Sequence, residues 1–119
     1  MKYICLIYTA EANEANMSPE EQQADFGAYM AFNETINNDG VSAGMAEALQ
    51  PTMTATTVRV RDGKTLTSDG PFAETKEQLG GFYILDCEDL DQAIKYAAMI
   101  PGAAHGSVEL RPIMEIDFD

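Results

Sequence analysis

The residues best suited to chemistry cluster in the second half of the chain. In the run Asp69-Gly70-Pro71-Phe72-Ala73-Glu74-Thr75-Lys76-Glu77-Gln78-Leu79-Gly80-Gly81, Asp69 precedes a Gly-Pro pair. An Asp in that position bonds its own backbone and shapes a turn, and it is also a candidate acid or base if the turn lines a cleft. Glu74 and Lys76 are two residues apart, so an extended backbone puts them on one face. Together they could orient a polar ligand or tune a proton-transfer group, although such a pair is also a common solvated surface contact. Arg59 and Arg61 share one strand face, and with Arg111 they would suit an anionic molecule, unless each pairs with a nearby carboxylate. His105, the sole histidine, lies in a small-residue loop and is a fourth catalytic candidate beside Asp69, Glu74 and Lys76, because imidazole titrates near neutral pH. The candidate ligand-binding set is Arg59, Asp69, Lys76 and Arg111.

Other chemistries are disfavoured by spacing. One histidine and two distant cysteines, Cys5 and Cys87, do not form a zinc site, and the acidic residues lack calcium-loop spacing. No metal or cofactor is therefore expected. Gly80-Gly81 permits close approach of a ligand or chain, but no Gly-x-x-x-x-Gly-Lys pattern follows. There is no nucleophile elbow or Ser/His/Asp arrangement.

Positioning these residues requires a frame, and the pattern supplies one. Tyr3–Tyr8 reads as a strand and Glu11–Met17 as polar loop. Ser18-Pro19-Glu20-Glu21 starts a helix, with Ser18 as cap, Pro19 in the first turn and Glu21 closing a capping box. Phe26, Tyr29, Met30, Phe32 and Ile36 form its apolar stripe, and Asn37-Asn38-Asp39-Gly40 ends it. Val41–Pro51 reads as a short strand or irregular connector. Thr54–Arg61 alternates as a strand with one apolar face, Asp62-Gly63 turns, and Lys64–Ser68 returns. Leu79–Cys87 is a further strand. Asp89 caps a second helix with stripe Leu90, Ala93, Ile94, Ala97 and Ala98, ended by Pro101-Gly102. Ser107–Glu115 is the last strand, and Pro112 within it fits an edge position or a bulge.

This order predicts one domain over residues 1–119, of the α+β class, on a ferredoxin-like βαββαβ plan with an extra hairpin. Two helices cover only one sheet face, yet the two central strands, Tyr3–Tyr8 and Phe82–Leu85, are apolar on both faces. A second copy packed sheet to sheet would cover the other, giving a homodimer in the form of a dimeric α+β barrel. Phe72 is expected to anchor the Asp69–Gly81 segment in the core, making that segment an ordered cleft wall.

Composition narrows the partners. Seven basic against twenty acidic residues give a net charge of −13 over 119 residues. That charge disfavours nucleic acid and anionic membranes. No apolar run approaches a membrane span and the N-terminus lacks a signal peptide. The cysteines read as buried free thiols, and the expected location is cytoplasmic.

The thirteen-residue run from Asp69 to Gly81 resembles the signature of the DGPF-type branch of the YCII-related family. Thr54–Gly63, Asp89-Leu90-Asp91-Gln92-Ala93 and Val108-Glu109-Leu110-Arg111-Pro112-Ile113 are similar to it too, so the resemblance spans nearly the whole chain. It implies a dimeric α+β barrel, a cytoplasmic bacterial protein, and association with an extracytoplasmic-function sigma factor. Some members use a His–Asp pair, the His from mid-way along the first helix. Here that helix reads Ala28-Tyr29-Met30 and the second ends Met99-Ile100-Pro101-Gly102, so neither half of the pair is present. Two functions remain open: a binder or enzyme for a small polar or anionic molecule, or a non-catalytic regulatory protein linked to a sigma factor.

Overall fold

The computed structural model describes residues 1–117. Strand β1 (Lys2–Thr9) leads through a single-turn helix α1 (Glu11–Glu14) to the long helix α2 (Pro19–Asn38). The expected capping box is in place: Ser18 Oγ accepts from the Glu21 amide at 3.1 Å, and the Glu21 carboxylate accepts from the Ser18 amide at 3.3 Å. Strands β2 (Ser42–Ala48), β3 (Thr56–Arg61), β4 (Lys64–Asp69) and β5 (Gln78–Asp86) follow, then α3 (Leu90–Ala97) and β6 (Ser107–Pro112). Over the described residues the protein is thus a mixed α+β fold with three α-helices.

Four strands form one antiparallel sheet in the order β2-β5-β1-β6. The two strands read as apolar on both faces, β1 and β5, are the central pair, and Pro112 ends edge strand β6. The hairpin β3-β4 is a separate two-stranded sheet, turned by Asp62 and Gly63, both at positive φ. Among the described residues no closed barrel is found: the single chain has an open sheet.

The core lies between one sheet face and helices α2 and α3. Tyr3, Cys5, Ile7, Tyr83, Leu85 and Cys87 alternate inward from the central strands and meet Phe32 and Ile36 of α2 and Ala93, Tyr96 and Ala97 of α3. Phe32 stands edge-on to Tyr83, with ring centroids 4.9 Å apart. Tyr96 donates to Asp39 Oδ2 at 2.8 Å and ties α3 to the end of α2. On the opposite face, Ile4, Leu6, Tyr8, Phe82 and Ile84 are half-buried.

Several expectations are corrected. Glu11–Glu14 is helical where a loop was expected, because the amides of Glu14 and Ala15 bond back to Ala10 and Glu11. Thr52–Thr54 is a 3₁₀ turn, so β3 begins at Thr56. The apolar face of β3 is not buried in the chain: Val58 is 60% and Val60 61% exposed. In α3 the inward residues are Ala93, Tyr96 and Ala97, whereas Leu90, Ile94 and Ala98 face out. Phe72 is 80% exposed and anchors nothing in the core.

Candidate functional site

The main concavity opens between α2 and the β2–β5 edge of the sheet and holds about 650 Å³, a size suited to a small organic ligand. Its lining comes from four separated stretches that only the fold unites: the end of β1 with α1, the middle of α2, the end of β2 with the following loop, and the start of β5.

Helical spacing aims Phe26, Tyr29, Met30 and Asn33 at the cleft. Phe26 and Met30 are exposed at its mouth. Asn33 accepts a 2.6 Å hydrogen bond from Tyr83 of β5, fixing helix to sheet at the base. Tyr29 is half-buried, and its hydroxyl is pushed up to a pKa of about 12 by burial and then by the nearby Asp25 carboxylate. It therefore keeps its proton at neutral pH and can donate it to a ligand.

Helix α1 closes one end. Thr9, the buried polar residue of β1, donates to the Glu14 carboxylate. The Glu11 carboxylate accepts from the amide and hydroxyl of Thr52, both at 2.8 Å, and the Glu11 amide donates to the Gln78 side-chain oxygen at 2.9 Å. These bonds clamp α1 between the loop after β2 and the start of β5. At the sheet edge Gly81 lets two strands close up, since a Cβ there would sit 2.8 Å from the Glu47 carbonyl.

The charge of the lining is one-sided. Glu11, Glu14, Asp25 and Glu47 contribute to it, and it contains no Lys, Arg or His. The cleft can accept hydrogen bonds from a ligand, offer one phenolic donor, and pack an apolar body against Phe26, Met30 and Leu49.

The residues singled out from sequence lie elsewhere. Asp69, Glu74 and Lys76 are exposed around the end of β4 and the loop before β5, and His105 is exposed beyond α3. Arg59 is exposed on the hairpin. Arg111 is on β6, opposite Ile4 on the open sheet face, with its Nε 3.9 Å from Glu109. None of these lines the cleft, and Glu77, next to Lys76, accepts a 2.8 Å hydrogen bond from Ser107, two residues beyond His105. From the Asp69–Gly81 segment, Gln78, Gly80 and Gly81 do reach it. The cleft is also lined by Tyr29, Asn33, Asp25 and Glu14, none of which the sequence singled out as a site residue. Tyr29 was legible only as part of the apolar stripe, and nothing in the local pattern pairs Glu14 with Asp25.

The chain matches the YCII-related domain over residues 1–117. It belongs to the YCII-related family. A relative from Rhizobium meliloti (strain 1021), an uncharacterized protein, is 39% identical over 115 residues, covering 95% of this chain and 92% of that protein. Family membership thus accompanies the cleft without assigning it a reaction. The middle of α2, where the resemblance implied a histidine in some members, presents Tyr29 to the cleft. Among the described residues no helix is long and apolar enough to cross a membrane.

Proposed function

We propose that this YCII-related protein binds a small molecule in the cleft between α2 and the β2–β5 edge, and that the ligand is an organic amine with an apolar body. The observation that carries this reading is the lining: four carboxylates, no cationic side chain, and apolar groups at the mouth. An anionic ligand, the expectation drawn from Arg59 and Arg111, would meet like charge there. An ammonium group would sit near Asp25 and Glu14, with Tyr29 donating to any acceptor the ligand carries. A matched pair of probes tests the sign. Phenethylamine should raise the melting temperature and phenylacetate should not. Asp25→Asn should weaken the amine's effect without unfolding the protein. Stabilisation by phenylacetate alone would overturn the reading.

The open sheet face supports a second copy as its cover. Ile4, Leu6, Tyr8, Phe82 and Ile84 form a continuous half-buried surface across the two central strands, and two such faces packed together would make the dimeric barrel. Sedimentation should give twice the 13.0 kDa chain mass. A single-chain mass at all concentrations would refute the dimer.

A further inference from the structure

The hairpin β3–β4 is the part of the fold with least reason to stand alone. All but one of its strand residues are exposed, the exception being half-buried Thr57, and its strands pack extensively only on each other. An isolated two-stranded hairpin is marginal in water. Its six-residue strands span about 20 Å, and the chain is correspondingly flat and spread, measuring 50 × 49 × 19 Å. The radius of gyration is 16.5 Å, against about 13.5 Å for a compact chain of this length.

Its two faces differ. Cross-strand partners share a face, so Arg59 and Leu66 lie together with Arg61 and Lys64, while Val58 and Val60 lie with Thr67 and Thr65. The first face holds three of the chain's seven basic residues. With Asp62 and Asp69 counted, the hairpin carries +1, leaving −14 on the rest of the chain. The rest of another copy therefore carries a net charge opposite to that of the arm.

We propose that the β3–β4 hairpin is an arm that reaches onto a second copy of this chain, setting the cationic face of Arg59, Arg61 and Lys64 against that copy's carboxylates. The inference rests on the dimer reading above and adds what the arm does in it. Charge complementarity selects the partner and the register, and covering the arm supplies the burial it lacks in the single chain. Among the described residues the Arg61 guanidinium donates to its neighbour's carbonyl, Val60 O, at 3.0 Å, one of its five N–H donors.

The arm carries its own reporters, because trypsin cuts after Arg59, Arg61 and Lys64. In the dimer these sites should be protected, and dilution to monomer should expose them. The triple variant R59E/R61E/K64E should keep the monomer fold by circular dichroism and weaken the dimer at low salt by about 100-fold or more. The charge-preserving R59K/R61K should dimerise nearly as the parent does. A dimer whose hairpin is cut as fast as the monomer's would overturn the arm and leave the sheet-to-sheet dimer standing. A protein that never dimerises would remove both. Protection that arises only when heparin or duplex DNA is added would give the hairpin a polyanion partner instead and overturn the proposal.

Discussion

Gly80 and Gly81 are adjacent, both line the cleft, and both end up in β5, yet an added methyl group should act oppositely at the two. At Gly81 a Cβ would lie 2.8 Å from the Glu47 carbonyl oxygen and 3.4 Å from the Ala48 Cα. Both are backbone atoms of the paired strand β2, so neither can rotate away. Overpacking of this kind costs about 1–3 kcal/mol, while replacing Gly returns about 0.5–1 kcal/mol of chain entropy. The net for Gly81→Ala is a loss of about 1–2 kcal/mol. At Gly80 a Cβ meets nothing within 4 Å and the backbone is not left-handed, so Gly80→Ala should be neutral or stabilising by about 0.5 kcal/mol. The assay is thermal and urea unfolding of both variants at one protein concentration, since any association makes the midpoint concentration-dependent. For a chain of this size each kcal/mol moves the melting temperature by about 4 °C, so the two variants should separate clearly. Equal stability of the two would refute the close approach of β2 to β5, and with it the shape of the cleft wall.

Further outcomes follow from the same contacts. Tyr83→Phe removes the 2.6 Å bond to Asn33 and should cost about 0.5–1.5 kcal/mol in urea unfolding. Phe72→Ala should change the stability of the monomer by no more than about 0.5 kcal/mol, because its ring is exposed; a loss several times larger would mean that the ring is covered. Burial pushes the Cys5 thiol up to about 12, and burial with the Asp25 charge does the same for the Tyr29 hydroxyl. Both groups hold protons that the unfolded chain releases from about pH 9–10 upward. Their contribution is complete below that range and is lost as pH rises toward 12, so stability should fall across this window, less steeply in Tyr29→Phe. Cys5 and Cys87 are both buried and should react with a thiol reagent only on unfolding.

What the sequence discloses is what is written locally. The start of α2 is readable because Ser18, Pro19 and Glu21 make their contacts within four residues. The central strands are readable because a run of apolar residues with strand formers suits the middle of a sheet, and β1 and β5 are its central pair. Misreadings arise where distant groups decide the outcome. Alternation identifies β3 as a strand, but no pattern within it says whether Val58 and Val60 meet a core. Phe72 is aromatic, and its exposure depends on where the loop after β4 runs. The cleft was not legible for the same reason: Thr9, Tyr29, Glu47 and Gly81 belong to four segments, and the Glu47 carboxylate and Tyr29 phenol line one concavity only because the fold brings those segments together. Of the Asp69–Gly81 segment, the far end, Gln78, Gly80 and Gly81, reaches the cleft.

The proposed ligand site is the acid-lined cleft, and not the arginine-bearing surfaces. Amide-resolved NMR during titration with phenethylamine tests it most directly. Saturable shifts should cluster at Thr9, Glu14, Tyr29, Asn33, Gly80 and Gly81, and phenylacetate should leave these residues still. Shifts centred on Arg59, Lys76 or Arg111, or a cleft that responds to phenylacetate and not to the amine, would contradict it.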